Sequence, residues 1–111
     1  MKFKQSLIFA TLATAATLSI AQLQQGVRTQ QGITKTEIII GTMQDLTGPL
    51  AGYGKAARNG MMLRIDEINE QGGINGRTIK LIVEDHGYDP KKAAVLAEKL
   101  VNKDKIFAMV N

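Results

Sequence analysis

Asp45 and Thr47 are two hydrogen-bonding side chains in a glycine-punctuated loop, residues 41–54, that joins an apolar run to an amphipathic one. A carboxylate and a hydroxyl at such a place suit recognition of a small polar ligand. The same residue types also favour turns by bonding nearby backbone, and both roles stand open. Residues 52–55 form the amino end of the first helix, where unpaired amides and the helix dipole could hold a carboxylate; Thr47 or water could satisfy those amides equally well.

Other chemistries find less support. His86, the single histidine, is flanked by Asp85 and Asp89. A metal site needs three or four converging ligands, so His86 reads as structural or solvated, and no metal or cofactor is expected. A phosphate-binding loop requires Gly, four residues, then Gly-Lys-Ser/Thr. Around Gly54-Lys55 those outer positions are Pro49 and Ala56. The dinucleotide fingerprint fares no better, because Gly52-Tyr53-Gly54 leads to Ala57 and the loop before it is too long. No residue pattern points to catalysis.

The elements that position the loop follow from periodicity. Ile38-Ile39-Ile40 is apolar at successive positions, as in a strand with both faces buried, which predicts a parallel sheet covered by helices. The first strand is predicted over 37–43, and a helix runs from Tyr53 to about Gln71. On that helix Ala57, Met61, Ile65 and Ile68 fall within roughly 80 degrees of one face. Gly72-Gly73 stops it. Asn75-Gly76 then turns into a strand over 77–84 with Ile79, Leu81 and Val83 alternating. Asp89-Pro90 reads as an acidic N-cap followed by proline at the first helical position, opening a helix to about Asn102 whose stripe is Ala93, Leu96, Ala97, Leu100 and Val101. Residues 106–110 form a third, buried strand. The fold class is α/β, a parallel sheet with helices on both faces. In such sheets ligands collect at the carboxyl ends of the strands.

At the amino terminus Lys2 and Lys4 precede the apolar run 7–20, and Ser19-Ile20-Ala21 presents small residues at a signal peptidase site. Residues 1–21 are read as a cleaved signal peptide, since a run of 14 falls short of the roughly 20 residues that span a bilayer. Residues 22–36 form a polar leader. Cleavage removes two of the 14 Lys and Arg and leaves 12 against 10 acidic residues, a nearly neutral balance that gives nucleic-acid binding little support. The absence of cysteine excludes disulfides and thiol chemistry. Three strands with unprotected edges suggest that residues 37–111 are the first part of a larger domain; a complete mini-domain is the alternative.

Three motifs occur in order: Thr47-Gly48-Pro49-Leu50-Ala51-Gly52-Tyr53-Gly54; Asp66-Glu67-Ile68-Asn69 with Gly72-Gly73-Ile74-Asn75-Gly76-Arg77; and Asp85-His86-Gly87-Tyr88-Asp89-Pro90. Together they resemble the leucine/isoleucine/valine-binding family of solute receptors for ABC importers, over residues 37–110. The resemblance implies two α/β lobes of the type I periplasmic class, closing by a hinge on an amino acid, amide or aromatic acid. It also implies docking on a membrane permease, a periplasmic location and a monomer at full length. By the same resemblance Tyr53 contributes an aromatic wall to the cleft, with Thr47, Gly52 and Gly54 beside it as candidate ligand contacts. Most of the family's ligand anchors fall in a loop after the strand that ends at Val110. Tyr88 stands where some members carry a disulfide-bonded cysteine, so the solute stays open. A ligand-sensing module of the same fold is a second reading, and a nucleotide-binding enzyme a third.

Overall fold

The computed structural model describes residues 30–111. The expected signal peptide and the first part of the leader lie outside them. Three parallel strands, β1 (Glu37–Gln44), β2 (Thr78–Asp85) and β3 (Ala108–Met109), pair in the order β2-β1-β3. Helix α1 (Ala51–Glu70) connects β1 to β2, and α2 (Pro90–Asn102) connects β2 to β3. The α/β class and the parallel sheet are therefore as the sequence predicts.

The register pairs Ile38 with Ile79, Ile40 with Leu81 and Thr42 with Val83. Side chains at these positions share one face, because aligned residues of parallel strands point the same way and successive residues alternate. On that face Ile79, Leu81 and Val83 line a hollow together with Met62, Ile65 and Asn69 of α1. Gly41 belongs to the other face, where a Cβ would stand 3.0 Å from Ile106 and 3.1 Å from Leu100 of α2. The helices thus cover opposite faces, as two right-handed crossovers in opposite directions require. Among the described residues Leu100 and Ile106 are the buried apolar side chains, and the core of this segment sits where they meet β1.

The helix ends obey the local signals. After α1 the Gly73 amide donates to Ile68 O at 2.9 Å and the Gly72 amide to Asn69 O at 3.0 Å, the paired bonds of a Schellman close, with Gly72 at φ 96° and Gly73 at φ 73°. Asn75 and Gly76 both take positive φ between the reciprocal backbone bonds of Ile74 and Arg77, as a type I′ turn demands. Asp89 caps α2, its Oδ1 accepting from the Lys91 and Lys92 amides at 2.8 and 3.2 Å.

Four expectations need correction. Helix α1 begins at Ala51, two residues before Tyr53, because the turn ahead of it is closed by Asp45 and winds directly into the helix. Ala57 and Val101 are exposed, whereas Met61, Ile65 and Ile68 are partly covered and Leu100 is fully buried. The third strand is a two-residue ladder and not a buried run over 106–110: Phe107, Met109 and Val110 are all partly exposed. Its backbone reaches β1 at both ends, Phe107 N donating to Ile39 O and Val110 N to Gly41 O, yet among the described residues no strand covers its outer edge. Finally, residues 30–36 are more than a leader. Gln31 Nε2 donates to Val101 O and Ile106 O, and Gly32 O accepts from Ile39 N, strapping the segment across the end of α2 and the entry to β3.

One ion cluster braces β2 against α2. Lys99 Nζ donates to Glu84 and, at 2.9 Å, to Asp104. The Glu84 carboxylate and then that of Asp104 hold the Lys99 ammonium above its ordinary pKa.

Candidate functional site

Parallel pairing brings the carboxyl ends of the strands together, so Gln44, Asp85 and the residues after Met109 share one edge of the sheet. Two βα connections rise from that edge. The first is held from below by Asp45, which is 5% exposed: Oδ1 accepts from the Gly48 amide at 2.6 Å and Oδ2 from the Leu50 amide at 2.7 Å. Leu50 stands at the cap of α1 with no polar side chain to offer, so Asp45 serves as a displaced cap. A buried carboxylate is tolerated here because both oxygens are bonded.

Asp85 ties the two connections together. Its Oδ1 accepts from the Leu46 and Gly87 amides, each at 2.9 Å, and its Oδ2 from the Thr47 hydroxyl at 2.7 Å. The Thr47 hydroxyl, then the Leu46 amide, favour the ionised form, and with the Gly87 amide and nearby Lys92 they bring the carboxyl down to about 2 against the opposing effect of burial. The loops also touch directly, since a Cβ on Gly48 would stand 2.6 Å from Gly87 O.

Tyr53 projects from the first turn of α1 and is 81% exposed, so it is not packed onto the loop. With Pro49, Leu50, Gly52 and Ala56 it lines an open hollow of about 450 Å³, within the range of small-molecule sites. The amides of Tyr53 and Gly54 already bond to Leu50 O, at 3.0 and 3.2 Å, so the free amide expected over residues 52–55 narrows to Gly52, which has no protein acceptor among the described residues. Gly54 is buried against backbone: a Cβ there would fall 1.9 Å from Asp45 O. Thr47, whose hydroxyl proton goes to Asp85, keeps only its oxygen lone pairs for another partner.

On the second connection His86 Nδ1 accepts from the Tyr88 amide at 3.0 Å, a local loop bond. Gly87 and Tyr88 both adopt left-handed backbone, at φ 56° and 64°, and the exposed Tyr88 joins His86, Asp89, Pro90 and Ala93 around a second hollow of about 370 Å³. After β3, Asn111 Oδ1 accepts from the Thr42 hydroxyl at 3.2 Å and the Met43 amide at 3.1 Å, while Gln44 Nε2 donates to the same hydroxyl at 2.8 Å. Sequence reasoning missed both Asp85 and Asn111. The available signal was parallel register, which sets residues that end neighbouring strands side by side.

The chain belongs to the periplasmic binding protein family, whose pattern matches residues 37–111. It is similar to a Leu/Ile/Val-binding protein of Rhizobium johnstonii, with 39% identity over 69 residues covering 62% of this chain and 19% of the relative. It is 42% identical to a leucine-, isoleucine-, valine-, threonine- and alanine-binding protein of Pseudomonas aeruginosa over 57 residues, 51% of this chain and 15% of the relative. Among solved structures, a fatty acid ABC transporter substrate-binding protein from Thermomonospora curvata superposes with a TM-score of 0.71 at 40% identity, over 77% of this chain and 21% of that one. The branched-chain amino acid transporter substrate-binding protein of Streptococcus pneumoniae, in complex with isoleucine, gives 0.66 at 38% identity, over 69% and 22%. The chain therefore spans about a fifth of the length of the relatives it matches.

Proposed function

We propose that this chain supplies the first half of the first lobe of an exported solute receptor, which captures a branched-chain amino acid or a similar small solute and delivers it to the membrane permease of an ABC importer. The observation that carries the reading is the carboxyl edge of the parallel sheet. There a rigidly bonded loop presents the open ring of Tyr53 beside the Gly52 amide, which has no acceptor among the described residues. Leucine, isoleucine, valine and fatty acids, the solutes that name the relatives, share an aliphatic body and a carboxylate. An aromatic wall suits the first feature and a helix amino-terminal amide the second. Gly52 and the oxygen lone pairs of Thr47 are the further contacts on this side of the cleft, while the buried Gly54 serves as the seat of α1 on Asp45.

Capture needs no bond to be made or broken. Solute contacts with two lobes favour the closed state over the open one, and the receptor works as a monomer. Family members are periplasmic binding proteins; for this chain, residues 1–21 direct export and are removed by cleavage after Ala21.

The test is a thermal-stability screen of the complete receptor without residues 1–21, against amino acids, amides, aromatic acids and fatty acids. A solute at 100 times its dissociation constant adds about 2.7 kcal/mol, a clear rise in melting temperature. A rise confined to aliphatic carboxylates supports the proposal and names the class. A folded protein stabilised by none of these solutes overturns it.

A further inference from the structure

We infer that Asp85 is a positioning residue of the solute site: its carboxylate latches the β1–α1 loop to the β2–α2 loop and thereby sets where Tyr53 stands. The inference rests on the receptor reading. Asp85 ends β2 in register with Gln44, the end of β1, so it is anchored in the sheet at the root of both loops. From there one oxygen holds the Leu46 amide of the first loop and the Gly87 amide of the second, while the other oxygen holds the Thr47 hydroxyl. Bonds to an ionised acceptor are about twice as strong as neutral ones.

Beyond Thr47 the chain has little slack. Asp45 grips Gly48 and Leu50, and Gly48 abuts Gly87 O. Gly54 then rests on the Asp45 carbonyl, one residue beyond Tyr53. Residues 46–50 are thus pinned by Asp85 at the front and Asp45 behind, and the first turn of α1 continues from them without a flexible joint. If Asp85 lets go, Asp45 still holds Gly48 and Leu50, but Leu46 and Thr47 lose their tie to the β2–α2 loop, and the loop with the first turn of α1, Tyr53 included, shifts as a unit relative to it. A carboxylate that merely closed its own turn would need only the Gly87 bond. The two bonds into the other loop are what make it a latch.

The complete receptor, as wild type, Asp85→Ala, Tyr53→Ala and the double variant, is titrated calorimetrically with leucine, isoleucine, valine and octanoate, and melting temperatures are recorded alongside. If Asp85 acts through Tyr53, Asp85→Ala weakens the tightest solute about tenfold in the wild-type background and less than about twofold in the Tyr53→Ala background, because coupled residues are non-additive. Losses that multiply in the double variant, or an unchanged affinity with only a lower melting temperature, overturn the positioning role and leave the receptor reading standing. A folded wild type that binds none of the four overturns both. Should Asp85→Ala not fold, Asp85→Asn, which keeps the shape and removes the charge, carries the same cycle.

Discussion

Asn69, in the last turn of α1, hydrogen-bonds both backbone groups of Ile79: its Nδ2 donates to Ile79 O at 2.9 Å and its Oδ1 accepts from Ile79 N at 2.7 Å. Among the described residues β2 is an edge strand, and a free edge offers unpaired backbone to other chains. The Asn69 amide fills that role for one residue, as a neighbouring strand would. Asn69→Ala should cost about 1–2 kcal/mol, read from denaturant midpoints, because two partly buried groups lose their partner. Asn69→Asp should be worse at neutral pH, since a carboxylate oxygen then faces Ile79 O. An alanine variant as stable as the wild type would count against the bracket.

Gly54 and Gly52 predict opposite outcomes for the same substitution. A Cβ on Gly54 would fall 1.9 Å from Asp45 O, a backbone atom that cannot step aside without breaking the Asp45 turn. Gly54→Ala should therefore destabilise by roughly 1–3 kcal/mol or more, as overpacking does. At Gly52 a Cβ meets nothing within 4 Å, and alanine should stabilise the helix by about 0.5–1 kcal/mol. Solute affinity should nonetheless fall in Gly52→Ala, because the new methyl group enters the hollow that Tyr53 lines. Equal effects of the two substitutions on unfolding midpoints would refute the packing argument.

Much of this architecture is legible in the sequence because its signals are local. The triple isoleucine of β1, the Gly72-Gly73 stop, the Asn75-Gly76 turn and the Asp89-Pro90 start each depend on neighbours a few residues away, and each stands where the sequence reading puts it. β3 is misread, since apolar composition marks residues 106–110 for burial without saying what would bury them. Asp85 and Asn69 are invisible for another reason. The partners of Asp85 in the first loop lie 38–39 residues off, across a strand pairing that must form first, and Asn69 reaches Ile79, ten residues on, only once α1 packs against β2. Asp45 is half legible: its tendency to form turns is clear, while the seat it provides for Gly54 depends on how α1 packs.

Acid should expose the Asp85 latch. Its carboxyl lies at about 2 in the folded chain against 3.8 when free, so its contribution is complete above the free value and is lost as pH falls from 3.8 through 2. The difference in melting temperature between wild type and Asp85→Asn should stay constant from neutrality to about pH 5, then shrink toward pH 2. A difference that persisted unchanged to pH 2 would mean that the charge of Asp85 contributes nothing to holding the loops.

Tyr53 offers the cleanest separation of folding from binding. With 81% of its surface exposed, the ring gives the described fold almost no packing, so Tyr53→Ala should leave the melting temperature of the solute-free receptor within about a degree or two. Burial of such a ring against an aliphatic solute stabilises by about 1.5–3 kcal/mol, and its loss should weaken binding roughly tenfold to a hundredfold. Tyr53→Phe should recover most of that affinity if the ring acts as an apolar wall, and little of it if the hydroxyl makes the contact. Unchanged affinity in Tyr53→Ala, with folding intact, would remove the residue from the site and shift attention to the second hollow around Tyr88.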